Sequence, residues 1–131
     1  MKKTDQYIGD IILESLADTS KIDFIQEFCI HERTSERPSE EVKLWHIRRY
    51  RLPYDIVLQL VPILENNFVD GAWYIQFYST EKNELYVMLK GRHFLLPKYR
   101  DASWDEMITY GEKIGVGRRW TENIPVDFPG V

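Results

Sequence analysis

Between Gly71 and Leu96 the chain reads GAWYIQFYSTEKNELYVMLKGRHFLL, and two of its runs alternate with the period of a strand. Trp73, Ile75 and Phe77 hold alternate positions of the first run, and Leu85, Val87 and Leu89 those of the second, which groups these six on one core face. The opposite positions carry Tyr74, Gln76 and Tyr78, then Tyr86, Met88 and Lys90, a surface able to stack and hydrogen-bond as well as pack. Glu81-Lys82-Asn83 is the turn between the two. Lys90-Gly91-Arg92 then turns into a third strand, His93 to Leu96, which Pro97 ends.

Upstream, Tyr7, Ile8, Ile11, Ile12 and Leu16 recur at helical spacing with Asp10 and Glu14 toward water, predicting a first helix capped by Thr4 and ending near Asp18. The segment Ile22 to Ile30 fits either a helix or extended chain. A short turn followed by a strand from about Phe28 to Thr34 is the reading adopted. Ser35 to Glu40 is a polar loop interrupted by Pro38, and Val42 to Leu52 is rich in β-branched and aromatic residues, so the two runs predict a hairpin. Pro53 opens a helix with Ile56, Val57, Leu60, Ile63 and Leu64 at helical spacing up to Asn66-Asn67. Pro62, lacking an N–H, kinks its last turn.

Ser103-Trp104-Asp105-Glu106 has the form of a capping box, followed by Met107, Ile108 and Ile114 as a buried face and by Gly115 as a left-handed stop. The tail, with Trp120, Pro125, Phe128 and Pro129, is aromatic enough to lie against the body. The sum is a single α+β domain over residues 1–131. Its elements run α-ββ-α-βββ-α, an antiparallel sheet of four to five strands with helices packed mainly on one face.

Composition narrows the function classes. The chain has 131 residues, 44% of them hydrophobic and 29% charged, enough for one core without disulfides. A net charge of -4 argues against general nucleic-acid binding, which rests on cations displacing phosphate counterions. The single cysteine, Cys29, can form no intramolecular disulfide and suits a reducing compartment. No apolar run approaches a membrane span, and Met1-Lys2-Lys3 is followed by Thr-Asp-Gln rather than the apolar segment of a signal peptide, so the expected location is cytoplasmic.

The candidate chemistry is sparse. Cys29, His31 and His46 can be imagined around zinc, or as a Cys-His nucleophile pair, if the hairpin sets His31 opposite Trp45 or His46. Their spacing matches no recognised ligand motif, so the favoured reading is a buried free cysteine, unreactive beside Phe28 and Ile30, with two partly exposed histidines and no metal. Asp18, Asp23, Glu27, Asp55 and Glu65 sit where caps and solvated faces want them. There is no Ser-His-Asp signature, HExxH, Walker motif or EF-hand loop, and no catalytic residue or cofactor is assigned. Arg118-Arg119-Trp120 follows a helix end, where capping of free carbonyls outweighs a phosphate clamp.

His46, Arg48 and Tyr50 alternate with Trp45 and Ile47. With the latter two in the core, His46, Arg48 and Tyr50 join Tyr74, Gln76, Tyr78, Tyr86 and Lys90 in one aromatic and cationic platform. This platform is the candidate binding site.

Trp73-Tyr74-x-x-Phe77, the strand Leu85-Tyr86-Val87-Met88-Leu89-Lys90, and Ser103-Trp104-Asp105-Glu106-x-x-x-Tyr110-Gly111-x-x-x-Gly115 together resemble a group of small uncharacterised prokaryotic proteins with a WYxxF strand and a YGxxxG helix end. The resemblance covers roughly the second half of the chain. It departs at Gly115-Val116-Gly117-Arg118-Arg119, where a hydrophobic residue and then proline are expected. It implies a compact α+β fold and carries no established activity.

The expected function is a non-enzymatic binding or protein-interaction domain that uses an exposed aromatic sheet face. One alternative is a small-molecule binder or enzyme with a pocket around His46 and Arg48; another is an antitoxin or immunity-type protein whose negative charge steers it to a basic partner. The helix from Ile56 to Leu64 is apolar around most of its circumference, which predicts a homodimer formed through it.

Overall fold

The structure, a computed structural model, describes residues 5–128. Six strands form one antiparallel sheet: β1 (Gln6–Ile12), β2 (Cys29–Glu36), β3 (Leu44–Pro53), β4 (Ile75–Ser79), β5 (Glu84–Leu89) and β6 (Arg92–Pro97). Their order across the sheet is β2-β3-β1-β4-β5-β6. Three α-helices accompany them, α1 (Tyr54–Glu65), α2 (Ala102–Lys113) and the short α3 (Arg118–Thr121), with 3₁₀ segments at Leu13–Ser15 and Thr19–Phe28.

The α+β class with an antiparallel sheet holds; the first element does not. Residues 6–12 are a central strand rather than a helix, so the sheet has six strands instead of four or five, and the Thr4 cap lies outside the described residues. The reason is that β1 is covered on both sides. Tyr7 and Ile11 point into one apolar cluster and Ile8 into the other, so the strand reads as a nearly continuous apolar run that also satisfies helical spacing.

Gly9 is the residue that argues for the strand. A Cβ there would lie 2.3 Å from the Gln76 carbonyl oxygen and 2.7 Å from Cδ1 of Phe77, so β1 and β4 pack closely because glycine has no side chain. Gly9→Ala is therefore expected to destabilise by about 1–3 kcal/mol, the cost of overpacking a filled interior. An unchanged midpoint in chemical denaturation would show that the two strands part without cost.

A second correction concerns the faces of β4 and β5. Phe77 stands opposite Tyr86, and Tyr78 opposite Leu85, one residue away from the pairing that would unite Phe77 with Leu85. A slip of one residue moves every side chain to the other face. Ile75 and Phe77 thus share a face with Tyr86 and Met88, while Tyr78 joins Leu85, Val87 and Leu89. Trp73 precedes the strand and packs, half-buried, on the Phe77 cluster.

Helices cover both faces rather than mainly one. On the first, Val57, Leu60, Val61 and Leu64 of α1, with Ile22 and Ile25 of the 3₁₀ segment, pack on Tyr7, Ile11, Tyr50, Leu52, Ile75 and Phe77. On the second, Trp104, Met107 and Ile108 of α2 pack on Ile8, Tyr78, Leu85, Val87, Leu89, Phe94 and Leu96. The tail joins this second layer: Val126 and Phe128 pack against it, and the Tyr78 hydroxyl donates to the Pro125 carbonyl at 2.7 Å.

Local signals are mostly as the residues suggest. Pro53 is the N-cap of α1 rather than its first helical residue, which is Tyr54, and the helix continues through Pro62 to Glu65. The cap of α2 is Asp101, whose carboxylate accepts the Ser103 N–H at 2.9 Å, so Ser103 is helical and Glu106 is freed to pair with Arg92. Gly115 takes the left-handed conformation, φ 94°, just beyond α2.

Candidate functional site at the hairpin end of the sheet

The β2–β3 hairpin is where the sheet runs out from under its helices. Nearly all of β2 is exposed, and β3 becomes buried only from Ile47 onward. The hairpin register pairs Glu36 with Leu44, Thr34 with His46 and Glu32 with Arg48, with an irregularity between Cys29 and His31. His31 therefore stands opposite Arg49 rather than Trp45 or His46. Cys29 and His31 fall on different faces, since Cys29 pairs with Tyr50. Cys29 is half-buried rather than buried, its thiol 3.5 Å from the His31 carbonyl, and Ile30 beside it is exposed.

The proposed platform is divided by the sheet. His46, Arg48, Tyr50 and Tyr86 lie on the α1 side; Gln76 and Tyr78 lie on the α2 side. Tyr74 packs on the α2 cluster, and Lys90 sits in the turn after β5, paired with Asp70. Tyr50, Tyr78 and Tyr86 are buried, so they present no aromatic surface to solvent. Burial, first of all, pushes the phenols of Tyr74, Tyr78 and Tyr86 above the ordinary tyrosine range.

Arg33, Arg48, Arg49 and the His46 ring of the hairpin each contact a carboxylate. Glu14, in the 3₁₀ turn after β1, accepts the His46 backbone N–H and contacts Nδ1 of its ring, each at 2.6 Å. Burial raises the Glu14 pKa, but these two bonds outweigh it and hold the carboxyl below its usual value. Arg48 Nε lies 2.9 Å from Glu32, Arg49 Nε lies 2.9 Å from Asp10, and Arg33 reaches the same Asp10 at 3.5 Å. An incoming anion would have to displace these partners, which weakens a phosphate or carboxylate clamp at Arg48.

Beside Arg48 lies an open cleft of about 360 Å³, lined by Gln26, Cys29, Ile30, His31, Glu32 and Arg48. Beneath it the buried Tyr50 hydroxyl makes no hydrogen bond of good geometry among the described residues. Burial raises its pKa against the opposing pull of the Arg48 guanidinium. His46 is not part of this cleft, because Glu14 holds it. Among the described residues no three His, Cys, Asp or Glu side chains are grouped to hold a metal ion.

The feature that sequence reasoning missed is a cluster of two tilted tryptophans and an arginine at the hairpin's end. The rings of Trp45 and Trp73 are 5.4 Å apart, and the guanidinium of Arg37, from the loop after β2, lies 4.4 Å over Trp45. Both tryptophans are half-buried, and the indole N–H of Trp45 has no acceptor among the described residues. The available signal was a tryptophan on the return strand of a hairpin whose loop begins with arginine. Elsewhere, Arg118 binds Glu112 of α2 and Glu122, and Arg119 lies over Trp120, so that pair braces α3 instead of forming an anion site.

No protein-family model matches the chain, and no curated protein and no solved structure is significantly similar to it. Among the described residues no helix is long and apolar enough to cross a membrane.

Proposed function

We propose that this chain is a non-enzymatic protein-interaction domain whose partner surface is the hairpin end of the sheet, centred on Arg37, Trp45 and Trp73. The Arg37–Trp45–Trp73 cluster carries the reading. Tryptophan and arginine are the residues that dominate binding energy at protein interfaces, where they offer large rigid area and a planar donor. The exposed hairpin around the cluster supplies a polar rim.

The test is affinity capture from an extract of the source cells, comparing the wild type with Arg37→Ala and Trp45→Ala. A partner retained by the wild type and weakened about tenfold or more by either variant is expected of a hot spot. Equal capture by all three proteins would remove the cluster from the interface. A second reading, a small-molecule binder, rests on the Arg48 cleft. Native mass spectrometry of the same purified protein would show it as a retained metabolite lost in Arg48→Ala.

A further inference from the structure

The two edges of the sheet are built differently. β2 is guarded: it is irregular between Cys29 and His31 and carries Glu32, Arg33 and Glu36, the features that stop an edge from recruiting another strand. The opposite edge, β6, is guarded only at its two ends, by Arg92 and Pro97, and carries neither an irregularity nor a Lys, Arg, Asp or Glu between them. Between Arg92 and Lys98 its residues are His93, Phe94, Leu95, Leu96 and Pro97, and Leu95 is 49% exposed.

Which backbone groups β6 offers follows from its pairing with β5. The Lys98 N–H donates to the Asn83 carbonyl at 2.9 Å, so Arg92, Phe94 and Leu96, in the same phase, turn their backbone groups inward to β5. His93 and Leu95 then turn theirs outward to the free edge. Pro97 contributes nothing there, because it has no N–H and its carbonyl already accepts the Trp104 indole N–H at 2.8 Å.

We propose that β6 is a homodimer interface, pairing antiparallel with β6 of a second copy about a two-fold axis at Phe94 and continuing the sheet from one copy into the other. In that register His93 of each copy faces Leu95 of the other and exchanges both ladder hydrogen bonds with it, and Pro97 is left out of the ladder. The flanking surfaces fit a second copy rather than an arbitrary strand.

On the α2 side, Asp105, Glu106, Thr109 and Lys113 line a cleft with Arg92 of β6, so the outer face of α2 adjoins this edge. That face is acidic toward its N-terminus and ends in Lys113, and a two-fold axis reverses one helix against the other. Asp105 of each copy is thereby directed toward Lys113 of its partner. On the α1 side, Glu65 binds His93 at 2.8 Å, and Leu58, two turns earlier on the same helical face, is 49% exposed, a second exposed leucine beside that of β6. Apart from the exposed Pro62, the remaining apolar residues of α1 are buried or partly buried within the chain, so the dimer forms through β6 with α1 contributing only this leucine.

Sedimentation equilibrium on the full chain tests the proposal over concentrations of about 5 to 200 μM, a range that spans micromolar self-association. The wild type is expected to dimerise, and Leu95→Lys, which installs the usual edge guard at an exposed position, to weaken the dimer at least about tenfold without altering the monomer's circular dichroism. In a Cys29→Ser background, mixing His93→Cys with Leu95→Cys chains is expected to give a disulfide-linked dimer under mild oxidation, while Thr34→Cys on β2 gives none. A wild type monomeric throughout, a dimer indifferent to Leu95→Lys, or cross-linking only through Thr34→Cys would each overturn it. None of these outcomes bears on capture by the Arg37–Trp45 surface, so the two readings stand or fall separately.

Discussion

Phe77→Ala is expected to destabilise the protein by about 3–5 kcal/mol, the range for emptying a buried phenylalanine site. Phe77 is fully buried in the layer under α1, opposite Gly9 on one side and Tyr86 on the other. The space it would vacate cannot close easily. Gly9 has no side chain to fill it, and the approach of β1 to β4 is fixed by the ladder between them. Chemical denaturation measures the effect, and a loss under about 1 kcal/mol would place Phe77 outside the load of the core.

Trp104→Ala is expected to cost a similar amount, about 3–5 kcal/mol, on the opposite face. Its ring is buried among the α2 cluster, its indole N–H satisfies the Pro97 carbonyl at 2.8 Å, and the Arg100 guanidinium lies 3.9 Å over it. Trp104→Phe separates packing from the hydrogen bond: it keeps most of the apolar volume but leaves the Pro97 carbonyl without this donor, a loss of about 1–3 kcal/mol. Both substitutions are read by denaturant midpoint and slope. If Trp104→Ala were tolerated while Phe77→Ala was not, the α2 layer would be an accessory to a two-layer core.

What was legible in the sequence had a local cause. The hairpin from Cys29 to Pro53, α1, and the β4–β5–β6 meander each follow from turn residues, a proline at a helix start, or alternation within one run. What was not legible depended on which layers would cover each strand. Tyr7, Ile8, Ile11 and Ile12 fit a helical stripe because both faces of β1 are buried, and only Gly9, a poor residue for a helix interior, pointed the other way. Alternation in β4 and β5 established two faces per strand but not their phase, because the residues between Tyr78 and Leu85 decide the register and both faces are apolar enough to accept either choice.

The candidate site followed the same division. The alternation of His46, Arg48 and Tyr50 along β3 was readable, but their union with Gln76 and Tyr78 depended on the pairing of both strands with β1, where Tyr50 and Phe77 both stand opposite Gly9 and so leave Gln76 and Tyr78 on the other face. Trp45 was assigned inward as a core residue, and its contact with Arg37 and Trp73 joins a loop and a segment far apart in sequence. No periodicity encodes such a contact.

β1 comes before every other strand in the chain, yet it lies between the hairpin and the meander. It pairs with β3 along its whole length but with β4 only from Tyr7 to Gly9. Hairpin and meander are each made of neighbours in sequence and close over short loops, whereas the β1–β4 seam spans about half the chain and must wait until the residues between have been ordered. Closing the β1–β4 seam is thus the most non-local step in building the sheet, one strand joining two halves that are each made of sequence neighbours.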